Sequence, residues 1–139
     1  MNRFVLDASV ALSWFVDKPV APDAERARQL LTNGWTARVP AIWQLEMING
    51  FVKAERRRGL SADEVDESFL EMQRLLARSV RLDGGLFSLE DTLMLARSFQ
   101  VTSYDASYVE LATREGLPLA TLDKGLRAAA VKAGVALLK

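Results

Sequence analysis

"RFVLDASVALSWFV", residues 3–16, decides how the chain is read. "RFVLD" is a short apolar run of the kind that forms a buried strand, and "SVALSWFV" has the apolar spacing of a short helix. Asp7 stands where one becomes the other. A strand that passes straight into a helix is the repeating unit of α/β folds.

The same alternation continues outward. "DAERARQLLTNG" predicts a helix from Asp23 to about Asn33, stopped by Gly34. "WTARVP" is a second strand, ended by Pro40, and a long helix follows from Ala41 to about Arg58, before Gly59. Ser61 with Glu64 three residues on has capping-box spacing, and Val65, Phe69, Met72 and Leu76 fall on one face of the helix it opens. "SVRLD" reads as a third strand, "LEDTLMLARSFQ" and "ASYVELATREG" as helices, "LPLATLD" as a strand, "KGLRAAAVKAG" as a helix and "VALLK" as a final edge strand. Strands separated by helices predict an α/β fold: a parallel sheet covered on both faces. No linker, repeat or low-complexity tract interrupts residues 1–139, so one domain is expected.

Composition narrows the chemistry. Half of the 139 residues are hydrophobic, and 18 basic side chains balance 18 acidic ones, so net charge gives no support to a nucleic-acid partner, although a local patch remains open. There is no Cys and no His. Thiolate nucleophiles, disulfides, imidazole bases and ordinary zinc sites are therefore excluded. The tools left are carboxylates, hydroxyls, Lys, Arg, Tyr and a metal held by oxygen. The N-terminus lacks the layout of a signal peptide and no apolar run is long enough to span a membrane, so a cytoplasmic protein is expected.

In open α/β sheets ligands bind at the carboxyl ends of the strands. Three aspartates stand at or near such ends: Asp7, Asp105 after "VTSY", and Asp123 after "LATL". Helix capping accounts for each taken singly. It does not account for Glu46, which lies inside the helix of "VPAIWQLEMINGF" (residues 39–51), with Asn49 three residues on. For Glu46 the plain alternatives are a solvent-facing position or a buried ion pair. Together the four acids favour another reading. Gathered at one sheet edge they would repel one another, and Mg²⁺ or Mn²⁺, which prefer oxygen ligands, would relieve that cost. Asn49 could orient Glu46 or meet a substrate. Ser9, Ser103 and Thr121 each lie two residues from one of the aspartates, and Thr121 and Asp123 could face the site together.

The residues also carry a family pattern. "FVLDASVALSWF", "PAIWQLEMINGF" and "TSYDASYVELATREGLPLATLD" resemble, in order and over essentially the whole chain, the motifs of the PIN-domain ribonucleases, and within them the VapC toxins of type II toxin–antitoxin pairs. Asp7, Glu46, Asp105 and Asp123 match the family's acids, Asn49 the position often filled after the glutamate, and Thr121 the Ser/Thr before the last acid. The resemblance implies a PIN-like three-layer α/β/α fold with a mainly parallel five-stranded sheet, and Mg²⁺- or Mn²⁺-dependent endonucleolytic cleavage of RNA leaving 5′-phosphate and 3′-hydroxyl ends. It also implies frequent dimerisation and inhibition by a cognate VapB-type antitoxin. Asp7 and Asp105 are first candidates for metal contact, with Glu46 and Asp123 binding directly or through water.

RNA also requires cations. Lys53, Arg56, Arg57 and Arg58 near the end of the Glu46 helix are candidates, though positive charge there also suits the helix dipole; Arg114, Lys124 and Arg127 are weaker ones. Trp14, Trp35 and Trp43 could stack on bases, but packing explains them better. The apolar stripe of Val65, Phe69, Met72 and Leu76, and the surroundings of Trp14 and Phe15, offer a core face, a dimer seam or an antitoxin seat. Two rival functions use the same architecture. A phosphoacceptor receiver domain would show adjacent acids after the first strand and a Lys after the last core strand; Asp7 is followed by Ala8, and no such Lys is evident. A non-catalytic RNA-binding module of the same fold is the other.

Overall fold

A computed structural model of the chain describes residues 2–85 and 87–139. The described residues form β1 (Arg3–Leu6), α1 (Ala8–Val16), α2 (Pro22–Thr32), β2 (Thr36–Val39), α3 (Ile42–Arg57), α4 (Ala62–Arg78), β3 (Val80–Leu82), α5 (Leu89–Phe99), α6 (Ser103–Glu115), β4 (Leu119–Ala120) and α7 (Lys124–Lys132). The strands pair in parallel in the order β3-β2-β1-β4, flanked by the helices. Val5 at the centre of β1 faces Arg38 on β2 and Leu119 on β4. The path steps outward from β1 to β2 to β3, then crosses back to lay β4 on the far side of β1. The reversal makes the β1–β4 boundary a topological switch point, where ligands of open α/β sheets bind.

The expected five strands become four. "VALLK" contributes a single parallel bridge, Leu119 to Leu137, flanked by hydrogen bonds from Leu119 N to Ala136 O and from Leu138 N to Leu119 O, both 2.9 Å. Val135 spends its amide on Ala130 O, closing the turn after α7, so too little chain remains in register for a ladder.

Local chemistry explains the elements. Ser61 and Glu64 form the capping box reciprocally, each side chain accepting from the other's amide at 3.1 Å. Gly116 ends α6 in the left-handed region, φ +65°, which a side chain would resist. On α3, Trp43, Met47, Phe51 and Ala54 recur every three or four residues and are buried. Burying each of the three large ones contributes about 1.5–3 kcal/mol. Gly50 lies against Leu12 so closely that a Cβ there would strike its side chain, which lets α1 and α3 approach. On α4 the stripe is mostly core-facing: Met72 is buried, Val65 and Leu76 half-buried, and Phe69 exposed.

The most enclosed helix is α6, with Ala106, Tyr108, Val109, Glu110, Leu111 and Ala112 all buried. Glu110 is tolerable because Arg114, one turn on, grips both its oxygens at 2.9 Å and reaches Asp83 at 2.7 and 3.2 Å. This network anchors α6 to the segment after β3.

Candidate active site

Asp7 occupies the N-cap position of α1 yet makes no capping hydrogen bond with its side chain. Its amide donates to Ala120 O at 3.0 Å, which places it at the carboxyl end of the β1–β4 pair. Oδ2 accepts from the Ser9 hydroxyl at 2.5 Å and from the Thr121 hydroxyl at 2.7 Å. Each hydroxyl in turn accepts a backbone amide, Leu122 N at 2.9 Å for Ser9 and Asp123 N at 3.0 Å for Thr121. Two side chains thus stitch the loop after β4 to Asp7, and both donate to the same oxygen.

The other two aspartates differ from each other. Asp123 is a true cap, accepting from Leu126 N at 2.9 Å through Oδ1, and is exposed. Asp105 was expected to open its helix, but the cap lies three residues earlier. Thr102 is the cap, its hydroxyl accepting from Asp105 N at 3.1 Å. Asp105 therefore sits in the first turn, half-buried, with its carboxylate free of any role as a cap.

Glu46 meets a residue that local sequence patterns do not single out. Its Oε1 accepts from the Tyr108 hydroxyl at 2.5 Å, across 62 positions of sequence, and the same hydroxyl accepts weakly from Ala8 N at 3.4 Å. The available signal was spacing: Tyr108 follows Asp105 by three residues, on the same face of α6. Asn49 is exposed and makes no hydrogen bond to Glu46 among the described residues, and Ser103 lies exposed on α6.

Electrostatics ties the four acids into one group. Burial raises the Asp7 pKa above its ordinary value; the Ser9 and Thr121 hydroxyls counter it, the charge of Asp123 adds to it, and the nearby Ser9 amide counters it least. Burial likewise raises Glu46, with Tyr108 pulling the other way and the charges of Asp7 and Asp105 pushing up. Asp105 is raised by burial, then by Asp123 and Asp7. Burial and the neighbouring Asp7 and Glu46 charges raise Tyr108, so it stays a protonated donor. Among the described residues no ion pair includes any of the four acids, although seven other acidic side chains have Arg partners. Carboxylates grouped without a counter-charge suit a hard dication. The described side chains offer no ready group of three acidic ligands for one ion. The donors the acids offer are all oxygens, the type Mg²⁺ takes, usually while keeping several of its waters.

The candidate cations divide. Lys53, Arg56 and Arg57 are exposed on α3. Lys53 and Arg57 follow Glu46 by whole numbers of turns, roughly 10 and 16 Å along the same face. Arg58 pairs with Asp17 at 3.1 Å, and Arg127 with Asp23 at 3.5 Å. Arg114 is committed to Glu110 and Asp83, and Lys124 is exposed beside Asp123. The tryptophans pack: Trp43 is fully buried, Trp35 lies 6.4 Å from the Phe4 ring, and Trp14 donates to Ala24 O at 2.6 Å.

The chain is similar to known proteins in sequence and in fold. The family model described as PIN domain matches residues 4–132. The chain is 32% identical over 124 residues to Ribonuclease VapC3 of Pyrobaculum aerophilum, spanning 89% of this chain and 92% of that protein. In fold it is similar to the crystal structure of PAE2754 from Pyrobaculum aerophilum, with TM-score 0.66, 22% identity, and 95% and 89% of the two chains covered. It is also similar to that of FitAcB from Neisseria gonorrhoeae, with TM-score 0.59, 18% identity, and 98% and 96% covered.

Proposed function

Because the chain belongs to the PIN-domain family, we propose that it is an endoribonuclease toxin, hydrolysing RNA with Mg²⁺ or Mn²⁺ and restrained by a cognate VapB-type antitoxin. The observation that carries the reading is the gathering of Asp7, Glu46, Asp105 and Asp123 near the β1–β4 switch point, with no cationic partner among the described residues. Similarity to a protein named a ribonuclease supports RNA as the substrate.

The Asp7 and Asp105 carboxylates would hold the ion, with Glu46 and Asp123 reached directly or through water. Bound there, the ion would supply Lewis acidity and a water of lowered pKa. The residues do the rest. Ser9 and Thr121 fix one oxygen of Asp7 and so hold its carboxylate in place. Attack by water at phosphorus with cleavage of the P–O3′ bond, the 3′-oxygen leaving with a proton, would give the 5′-phosphate and 3′-hydroxyl ends that the family resemblance implies. Lys53 and Arg57 lie along the Glu46 face and suit the flanking phosphates, with Arg56 and Arg58 beside them.

For the antitoxin, a cavity of about 390 Å³ opens between α1, α2 and α4, walled by Trp14, Phe15, Leu31 and Leu75 and rimmed by Arg28, Glu71 and Arg78. It suits an apolar helical segment with charged flanks. Assembly as a homodimer or as a toxin–antitoxin hetero-oligomer belongs to the same proposal. No helix among the described residues is long and apolar enough to cross a membrane, in keeping with work in the cytoplasm.

The experiment is cleavage of a mixed RNA pool by the purified chain with Mg²⁺, Mn²⁺ or EDTA, beside Asp7→Asn and Asp105→Asn. Dication-dependent fragments from wild type alone are expected. Equal inertness of all three would favour a non-catalytic binding module, and a stable aspartyl-phosphate would favour a receiver domain.

A further inference from the structure

Glu46 has no structural reason to stay where it is. It sits on α3 near Asp7 and Asp105, whose charges repel it, and a glutamate side chain with three rotatable bonds would otherwise swing toward water. One contact opposes that. The Tyr108 hydroxyl donates to Oε1 from a ring that is completely buried, on the helix that also carries Asp105. The ring has only two rotatable bonds and is locked by packing.

The same hydroxyl accepts from Ala8 N, the first amide of α1, which has no partner within its own helix. Asp7, the residue placed to cap this helix, is instead turned toward Ser9 and Thr121. One phenol therefore stands between the start of α1 and the middle of α3, within reach of both.

We propose that Tyr108 is a positioning residue of the candidate active site: its hydroxyl holds the Glu46 carboxylate against the β1–α1 junction that carries Asp7, leaving Glu46 Oε2 open to the reaction. The proposal rests on the nuclease reading above. It assigns Tyr108 no contact with substrate. A buried phenol needs some partner for its hydroxyl, and a purely structural role would be met by any acceptor. What distinguishes positioning is that the effect passes through Glu46.

The test is a double-mutant cycle of Tyr108→Phe with Glu46→Gln, read by Mn²⁺ affinity from electron paramagnetic resonance, by kcat and KM on a defined RNA, and by thermal melting. Tyr108→Phe is expected to remain folded with a modestly lower Tm, to bind Mn²⁺ about tenfold more weakly, and to lose kcat with little change in KM. In the Glu46→Gln background it should add less than about twofold to either loss. Glu46→Asp, which shortens the carboxylate away from an intact Tyr108, should reproduce the weakened Mn²⁺ binding and serves if Tyr108→Phe does not fold. Wild-type Mn²⁺ affinity in Tyr108→Phe or in Glu46→Asp, or an undiminished Tyr108→Phe penalty in the Glu46→Gln background, overturns the proposal. If wild type itself neither binds Mn²⁺ nor cleaves RNA, the nuclease reading falls as well.

Discussion

The hydroxyl of Thr121 donates to the carboxylate of Asp7 at 2.7 Å, joining residues 114 positions apart. Both are buried, and the same hydroxyl receives the Asp123 amide. Thr121→Val keeps the shape but leaves an amide without its acceptor and Asp7 with one donor fewer. We expect a loss of about 1–3 kcal/mol of stability, measured by urea unfolding, with Thr121→Ser close to wild type. Equal stability of the Val variant would show that water takes over the hydroxyl's bonds.

Neutralising Asp7 should have opposite effects on stability and activity. Asp7→Asn removes a buried charge that Asp123 opposes, and the Ser9 and Thr121 hydroxyls can still donate to the new carbonyl oxygen. Without dication the variant should be more stable than wild type by about 1 kcal/mol. Its RNA cleavage should fall by about 10²–10⁴-fold. Parallel chemical denaturation in EDTA and cleavage assays in Mn²⁺ check both halves.

The site should make the dication-free chain less stable as pH rises. Asp7, Glu46 and Asp105 bind protons more tightly folded than unfolded, all three through burial first. Their contribution is complete below the ordinary values, 3.8 for the aspartates and 4.5 for the glutamate, and is lost as pH climbs through the raised folded values. The readout is the urea midpoint in EDTA across this window and up to neutrality. The comparison is a variant carrying Asp7→Asn, Glu46→Gln and Asp105→Asn. The difference between the two should shift against wild type with rising pH, and Mg²⁺ should shrink it. A flat difference would mean that the acids are better hydrated than their burial implies.

Far from the site, Arg114 holds α6 in place. Arg114→Met would strand the buried Glu110 carboxylate and take one partner from Asp83, at a cost of roughly 3–5 kcal/mol. Pairing it with Glu110→Gln should recover part of that loss in a thermal melt, because the buried charge goes with its partner.

What the sequence disclosed, and what it did not, follows the reach of each interaction. Helix stops at Gly34, Gly59 and Gly116, and the Ser61–Glu64 cap, depend on neighbours within four residues and were readable. The parallel sheet followed from strands alternating with helices. The start of α6 was misplaced by three residues because Thr102 competes with Asp105 for the cap, and a threonine hydroxyl serves as well as a carboxylate. "VALLK" had strand composition, but its first amide was already committed to Ala130. Among the site residues the four acids and the Ser9 and Thr121 hydroxyls stood out by position. Tyr108 did not, since its bond to Glu46 spans 62 positions and a tyrosine three residues past an aspartate looks like ordinary core.

Laying β4 beside β1, rather than beyond β3, also sets the order in which the candidate site is assembled. Translation delivers the N-terminal end first. A ribosome-bound fragment that stops at residue 118 has Asp7, Glu46 and Asp105 but no strand to lie against β1, no Thr121 to brace Asp7 and no Asp123. The candidate site is completed only once residues 119–123 have been made, and a shorter nascent chain carries it unfinished.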